Sequence, residues 1–351
     1  MTLMDQIRND PRRRNLAVLA AIALVSLILA GLALTYQGTK DGAQSRQEIM
    51  FPGLGDRIHN IARIHIVSRQ YGAFDMVFDP RIGWVLLQHG NYPASFEQMR
   101  STVVGLTNLQ TIAAKTARPE WYGFIGVDAP PKGSGTLIQL LDDKNNVLAA
   151  LIMGKETDIG DPGGSIGLYV RKPDEAQSWL ARSVFEPKSN PADWLDKNIL
   201  TVDPSQIVEA DINPVSGPAF VIKRAGPAGF AIADLPKGRE EAYPGAAAAV
   251  AAAITGFDFE DVKTADAFDF TNAPRFVTRT VDGLTVTVRT VPEAGAFWAT
   301  IYAEGDNPRA AAEARAIDAH SDGWAYKLPT FKGQLFMITL ESLLKPLAAK
   351  K

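Results

Sequence analysis

Chemistry in this chain has to start from four histidines, His59, His65, His89 and His320. None stands in an H-E-x-x-H or His-x-His pair, and there is no cysteine. A zinc site would therefore have to be assembled from distant parts of the fold. His59 and His65 lie around a strand-like run with Asp56 close by, and all four read as structural or solvent-exposed. The richest glycine loop is Gly160-Asp161-Pro162-Gly163-Gly164-Ser165-Ile166-Gly167. It lacks the Gly-Lys-Ser/Thr of a phosphate-binding loop. Gly154-Lys155 precedes it, but Glu156 follows and would repel phosphate. The same loop spells G-x-S-x-G from Gly163 to Gly167. A nucleophile elbow needs a strand before its serine and a helix after it. Here a Gly/Pro loop precedes Ser165 and the strand-like Leu168-Tyr169-Val170 follows, so the match is one of letters only. Carboxylates pair at Asp142-Asp143 and Glu260-Asp261. Neighbours on a strand point to opposite faces, so neither pair makes an acid/base couple by itself. The residues thus point to a non-enzymatic chain, with no catalytic residue, metal ligand or cofactor site expected.

Aromatic side chains offer a second kind of chemistry. Trp84, Tyr92, Trp121, Tyr122, Trp179 and Trp194 recur through the first half. Rings with large contact area form either core or a platform for sugars and peptides. Trp84, Tyr92, Trp121 and Tyr122, together with Gly163 and Gly164, are the candidate ligand or partner surface.

The elements that must position these residues begin with Leu16 to Tyr36, 21 residues without a charge. As a helix this stretch is about 31 Å long, enough to cross a bilayer core. Arg8, Arg12, Arg13 and Arg14 precede it, and basic residues favour the cytoplasmic side. The expectation is a retained single-pass anchor, with a cytoplasmic tail over 1–15 and the bulk of the chain outside. A cleaved signal is the main alternative, but its apolar core is ordinarily shorter. A buried core helix would normally show a polar face, and only Ser26 and Thr35 interrupt this one.

Composition bounds the rest. Net charge is −3, which argues against a nucleic-acid surface. The absence of cysteine rules out disulfides and thiolate sites. Residues 37–50 read as a polar linker, and the folded part begins near Phe51-Pro52-Gly53-Leu54. Three strand-like runs follow, Ile61 to Val67, Phe74 to Phe78 and Gly83 to Leu87. Ser95 then caps a helix carrying Met99, Val103, Leu106 and Leu109 on one face, stopping before Lys115-Thr116-Ala117.

The same order returns. Ile207 to Ile212, Ala219 to Lys223 and Gly229 to Ile232 match the three strands at the same spacing. Tyr243-Pro244-Gly245 opens an Ala-rich helix that ends by Lys263-Thr264-Ala265. This is a duplicated β-β-β-α unit, hence two related modules rather than a solenoid. Each unit is followed by further strands, with hairpins at Asp142 to Asn146 and Asp282-Gly283. The predicted fold class is α+β: modules over 51–200 and 201–305, each mostly antiparallel sheet with a helix, then a helical C-terminal segment over 306–351. Within that segment Pro308 to His320 and an amphipathic Phe331 to Leu347 read as helices.

The whole pattern resembles the bacterial family known as domain of unknown function 4340. The resemblance rests on the order of Phe51-Pro52-Gly53-Leu54, Ile61-Ala62-Arg63-Ile64, Gly83-Trp84, Tyr92-Pro93-Ala94, Gly154-Lys155, Tyr169-Val170-Arg171 and Trp194-Leu195-Asp196 behind the apolar segment. It implies an envelope protein anchored in a bacterial inner membrane, with the bulk of the chain periplasmic, associated with ABC transporters of the gliding-motility auxiliary type, and no catalytic residues. An auxiliary or scaffold subunit beside an ABC permease and ATPase is therefore the leading expectation. An envelope module that binds glycan, lipid or peptide is the alternative.

Overall fold

The computed structural model describes residues 48–346, apart from 161, 187, 227 and 228. The expected tail and membrane segment, 1–15 and 16–36, lie outside the described residues. Among the described residues no helix is long and apolar enough to cross a membrane. The described chain is α+β, with two sheets whose strand pairings are all antiparallel.

The first half runs β1 (Arg63–Ser68), β2 (Gly72–Asp79), β3 (Gly83–Leu86), β4 (Tyr92–Pro93), helix α1 (Phe96–Thr107), β5 (Gln110–Ala114), the single turn α2 (Tyr122–Ile125), β6 (Thr136–Leu141), β7 (Val147–Thr157), β8 (Ile166–Arg171) and β9 (Ser178–Ser183). Their order across the sheet is β4-β3-β2-β1-β6-β7-β8-β9-β5. The second half runs β10 (Ile207–Asn213), β11 (Phe220–Arg224), β12 (Phe230–Ile232), α3 (Ala246–Ala251), β13 (Asp261–Thr264), β14 (Arg275–Thr280), β15 (Leu284–Glu293), β16 (Ala296–Gly305), α4 (Pro308–Ser321), β17 (Trp324–Leu328) and α5 (Thr330–Phe336). Its order is β12-β11-β10-β14-β15-β16-β17-β13. With β4 set aside, the two orders are the same. The repeat therefore extends beyond the β-β-β-α unit to the whole sheet.

Local chemistry accounts for the elements. In β1 and β2 alternate side chains such as Ile64, Ile66, Phe74 and Met76 are buried, the period-two pattern of a sheet with one face on a core. Ser95 accepts a hydrogen bond from the Gln98 N–H and starts α1, as expected of an N-cap. The β6–β7 turn is held by Asp142, which accepts from the Lys144 and Asn146 N–H groups, with Asn145 at φ 63°. Asn307 caps α4 by accepting from Arg309 and Ala310, with Pro308 in the first turn.

Five expectations are corrected. The helix expected to run toward Lys115 stops at Thr107, and Gln110–Ala114 is the edge strand β5. The Ala-rich helix is likewise followed by a strand, β13. Each forms the sheet edge beside β9 or β17. The helical C-terminal segment contains β17, paired with both β16 and β13. The predicted helix from Phe331 breaks after Phe336, and the chain turns at Thr339, whose N–H meets the Ser342 hydroxyl. Leu343 and Leu344 then pack inward. The linker also ends earlier than expected. Ile49 bridges Gln110 and Met50 is buried, so the fold begins before Phe51.

One continuous apolar core runs through both halves, from Leu54, Ile64 and Trp194 to Phe259, Phe276 and Phe336. A second, small cluster of Tyr122, Val127 and Ile152 sits on the opposite face of the first sheet.

Candidate functional site

The six residues expected to form one surface are dispersed. Tyr92 is 2% exposed, and its hydroxyl donates to the Asp196 carbonyl at 2.9 Å. Tyr122 is buried, donates to the Ala176 carbonyl at 2.5 Å, and lies under the Arg171 guanidinium. Trp121 is exposed and packs on Phe124 at 5.7 Å between ring centroids. Gly163 and Gly164 lie in the exposed β7–β8 loop, with Gly164 at φ 74°. Trp84 is half-buried on β3, edge-on to Phe78. Of the six, Trp84 lines an apolar groove beside α1.

Tyr92 stands instead at the seam between the sheets. Its ring meets Phe259, Trp324 and Tyr326 of the second half edge-on, at 6.1, 5.0 and 6.2 Å. Burial pushes its phenol above the usual tyrosine range. The chain reaches this position through Gly90, at φ 67°. A Cβ there would sit 3.3 Å from Thr264 and Trp324 side-chain atoms, so the close approach needs glycine.

Three residues before Tyr92, His89 crosses the same seam. Its Nε2 lies 2.9 Å from Asp261 Oδ1 of β13. Burial alone would raise the Asp261 pKa, but the hydrogen bonds from His89 and the Val262 N–H outweigh it, and the carboxyl sits below its ordinary value. A cleft of about 650 Å³ opens beside the pair, lined by Tyr71, His89, Asn190, Asp193, Glu260 and Lys327. Lys327 pairs with Glu260 at 3.0 Å. An ionised aspartate holding a histidine is half of a general-base arrangement, but the other half is closed off. His89 Nδ1 is buried without a hydrogen-bond partner, so it cannot take a proton from a molecule in the cleft. No serine or threonine lines the cleft to serve as nucleophile. Among the described residues no three potential ligands gather for a metal. The His89–Asp261 pair therefore fastens the two halves together. Neither residue was marked by the sequence as a partner, because 172 positions separate them.

A different concavity is apolar. The turn Gly55–Asn60 and α1 flank a groove of about 380 Å³, with Ile64 and Met99 at its floor and Trp84 at its side. Its rim carries Ile58, Phe96 and Val104, exposed by 43%, 68% and 43%. Arg100 and His59 are the polar groups at its edge. Three exposed apolar side chains around one groove are more than the scattered surface residues of an ordinary fold.

The family model described as domain of unknown function (DUF4340) matches residues 84–270, just over half of the chain. The match begins at Trp84 on β3 and ends beyond β13, so it spans the seam. No curated protein and no solved structure matches the chain.

Proposed function

This chain belongs to the DUF4340 family, and from that premise we propose that it is a non-enzymatic, membrane-tethered envelope protein that docks on a larger membrane complex. The observation that carries the reading is the apolar groove beside α1. The uncharged run Leu16 to Tyr36 is the proposed tether, inserted with the arginine-rich end inside. From Tyr36 to the first described residue, Glu48, an extended chain reaches at most about 40 Å. The groove lies a few residues further on, so it works close to the bilayer. Its proposed occupant is an apolar helical segment of a membrane-embedded partner, with an acidic flank to meet Arg100. The ABC permease and ATPase implied by the family resemblance are the expected complex.

The test is purification of the full-length chain from native membranes in mild detergent. Permease and ATPase should co-purify, and exchanging residues 1–36 for an unrelated anchor should not abolish this. Phe96→Asp or Val104→Asp should lower recovery by about tenfold, as expected for side chains central to an apolar interface. Both side chains are exposed, so the fold should tolerate the change. A chain that comes down alone, or unchanged recovery with both variants, overturns the reading. The seam cleft favours a second reading, an envelope ligand-binding module, because ligand sites often form between packed units. Thermal shift of the full-length chain against glycan, lipid and peptide panels tests it, and no shift with any of them removes it.

A further inference from the structure

The shared strand order gives most residues of one sheet a counterpart in the other. At one place the counterparts are chemically opposite. Val67 of β1 pairs with Leu137, and Asn213, at the same place in β10, pairs with Arg275. Leu137 in turn faces Ile152, which faces Arg171. Arg275 faces Arg289, which faces Thr300. The first sheet thus carries an apolar pair where the second carries two arginines. In the first sheet Tyr122, Ile125 and Val127, from α2 and the residues after it, pack over Leu137 and Ile152. In the second sheet the turn Ala265–Ala267 takes the place of α2 and reaches only the rim. What remains is a concavity of about 550 Å³ lined by Arg275, Thr287, Arg289, Thr300 and Tyr302.

Like charges directly opposite each other on neighbouring strands destabilise a sheet. Most arginines placed so would be neutralised by a carboxylate, as Arg279 is by Glu209 one turn of the pleat away. Among the described residues the side chains of Arg275 and Arg289 make no hydrogen bond or ion pair. The acidic groups that share the concavity, Glu304 and Asp322, pair with neither arginine among the described residues. Glu304 is four residues beyond Thr300 on β16, about 13 Å along the strand, and it accepts the Tyr302 hydroxyl at 3.3 Å.

We propose that this concavity binds a small ligand through an anionic group, a phosphate or carboxylate, gripped between Arg275 and Arg289. Guanidinium groups present paired N–H donors that match both oxyanions. The hydroxyls of Thr287 and Thr300 stand on the same sheet face to donate beside them. Glu304 and Asp322 suit a ligand whose other end carries hydroxyl or ammonium donors.

Calorimetric titration of the full-length chain in neutral detergent at low ionic strength tests this. The probes are inorganic phosphate, glycerol phosphate, succinate and short-chain phosphatidylglycerol. At least one should bind at one site per chain. Binding of the phosphate probes without succinate assigns a phosphate, and binding of succinate as well assigns anions generally. Binding of the short-chain lipid alone assigns a lipid headgroup. Arg275→Leu and Arg289→Leu should each weaken binding about tenfold or more, while Arg315→Gln, on the exposed side of α4, leaves it unchanged. Leucine already occupies the counterpart of Arg275, so the sheet accepts it. In probe-free buffer both leucine variants should melt higher than the parent, because the repulsion is gone. Binding of no probe, unchanged affinity in both leucine variants, or lower melting temperatures in both overturns the proposal.

Discussion

Asp261 carries a testable electrostatic consequence at the residue scale. Its folded pKa lies below the ordinary value of 3.8 because hydrogen bonds from His89 and the Val262 N–H favour the carboxylate over the desolvated acid. A carboxyl with a depressed folded pKa contributes stability at all pH values above 3.8. That contribution is lost as pH falls through the folded pKa. Asp261→Asn should therefore unfold more easily than the parent at pH 7, and the gap should narrow steadily below pH 4 in urea titrations. A gap independent of pH would mean the carboxylate charge is not what the seam uses. The pair was illegible in the sequence for a concrete reason. Glu260-Asp261 reads as a solvent-facing couple and His89 as a structural or solvent-exposed histidine until β13 is known to be a strand at the seam. Tyr92 was offered as part of a ligand or partner surface, but periodicity says nothing about which surface a ring meets, and here it meets the other half of the chain.

At the scale of elements, the strands with alternating burial and hairpin turns were readable, as were Ser95 as a cap and the Pro308 helix. The edge strands β5 and β13 were not. Each is four or five residues long and follows a helix whose apolar spacing continues past its end, through Leu109 in one case and Phe257 and Phe259 in the other. Edge strands have only one hydrogen-bonded neighbour and so leave a weak alternation. The amphipathic run after Phe331 was misread because its apolar residues serve two different packings. Phe336 packs on Phe276 and Phe257 from α5, whereas Leu343 and Leu344 approach from a separate turn beyond Thr339. That helix also contributes an internal clamp. Lys332 is buried and its amine donates to the carbonyls of Ala253 and Thr255 at 2.7 and 2.6 Å, at the end of the Ala-rich helical segment. A cation suits the carbonyl-rich end of a helix. Lys332→Met should cost about 1–3 kcal/mol, the range for leaving buried carbonyls without their charged donor. Chemical denaturation measures it, and a neutral result would show that water replaces the amine.

The two sheets share one core, so the whole molecule should respond to a lesion at the seam as a unit. Tyr92→Ala removes a fully buried ring against three aromatic neighbours and should cost about 3–5 kcal/mol. Tyr243, its counterpart in the repeated Tyr-Pro motif, is 55% exposed, and Tyr243→Ala should change the denaturation midpoint little. Comparable losses at both positions would refute the assignment of the seam to Tyr92. That asymmetry has a further meaning. The contact between the halves is not self-complementary: a knob after β3 in one copy enters a socket made by β13 and β17 in the next. Joints of this head-to-tail kind do not close on themselves, and a string of identical units using them would keep growing. The described residues hold two such units. At one end the knob, Tyr243, faces solvent with no socket to enter. At the other, Gln177 stands where Trp324 forms the socket's wall, and its side-chain amide donates to the Ser178 carbonyl. The duplication thus carries its own terminators, written as the loss of one aromatic ring and the exposure of another.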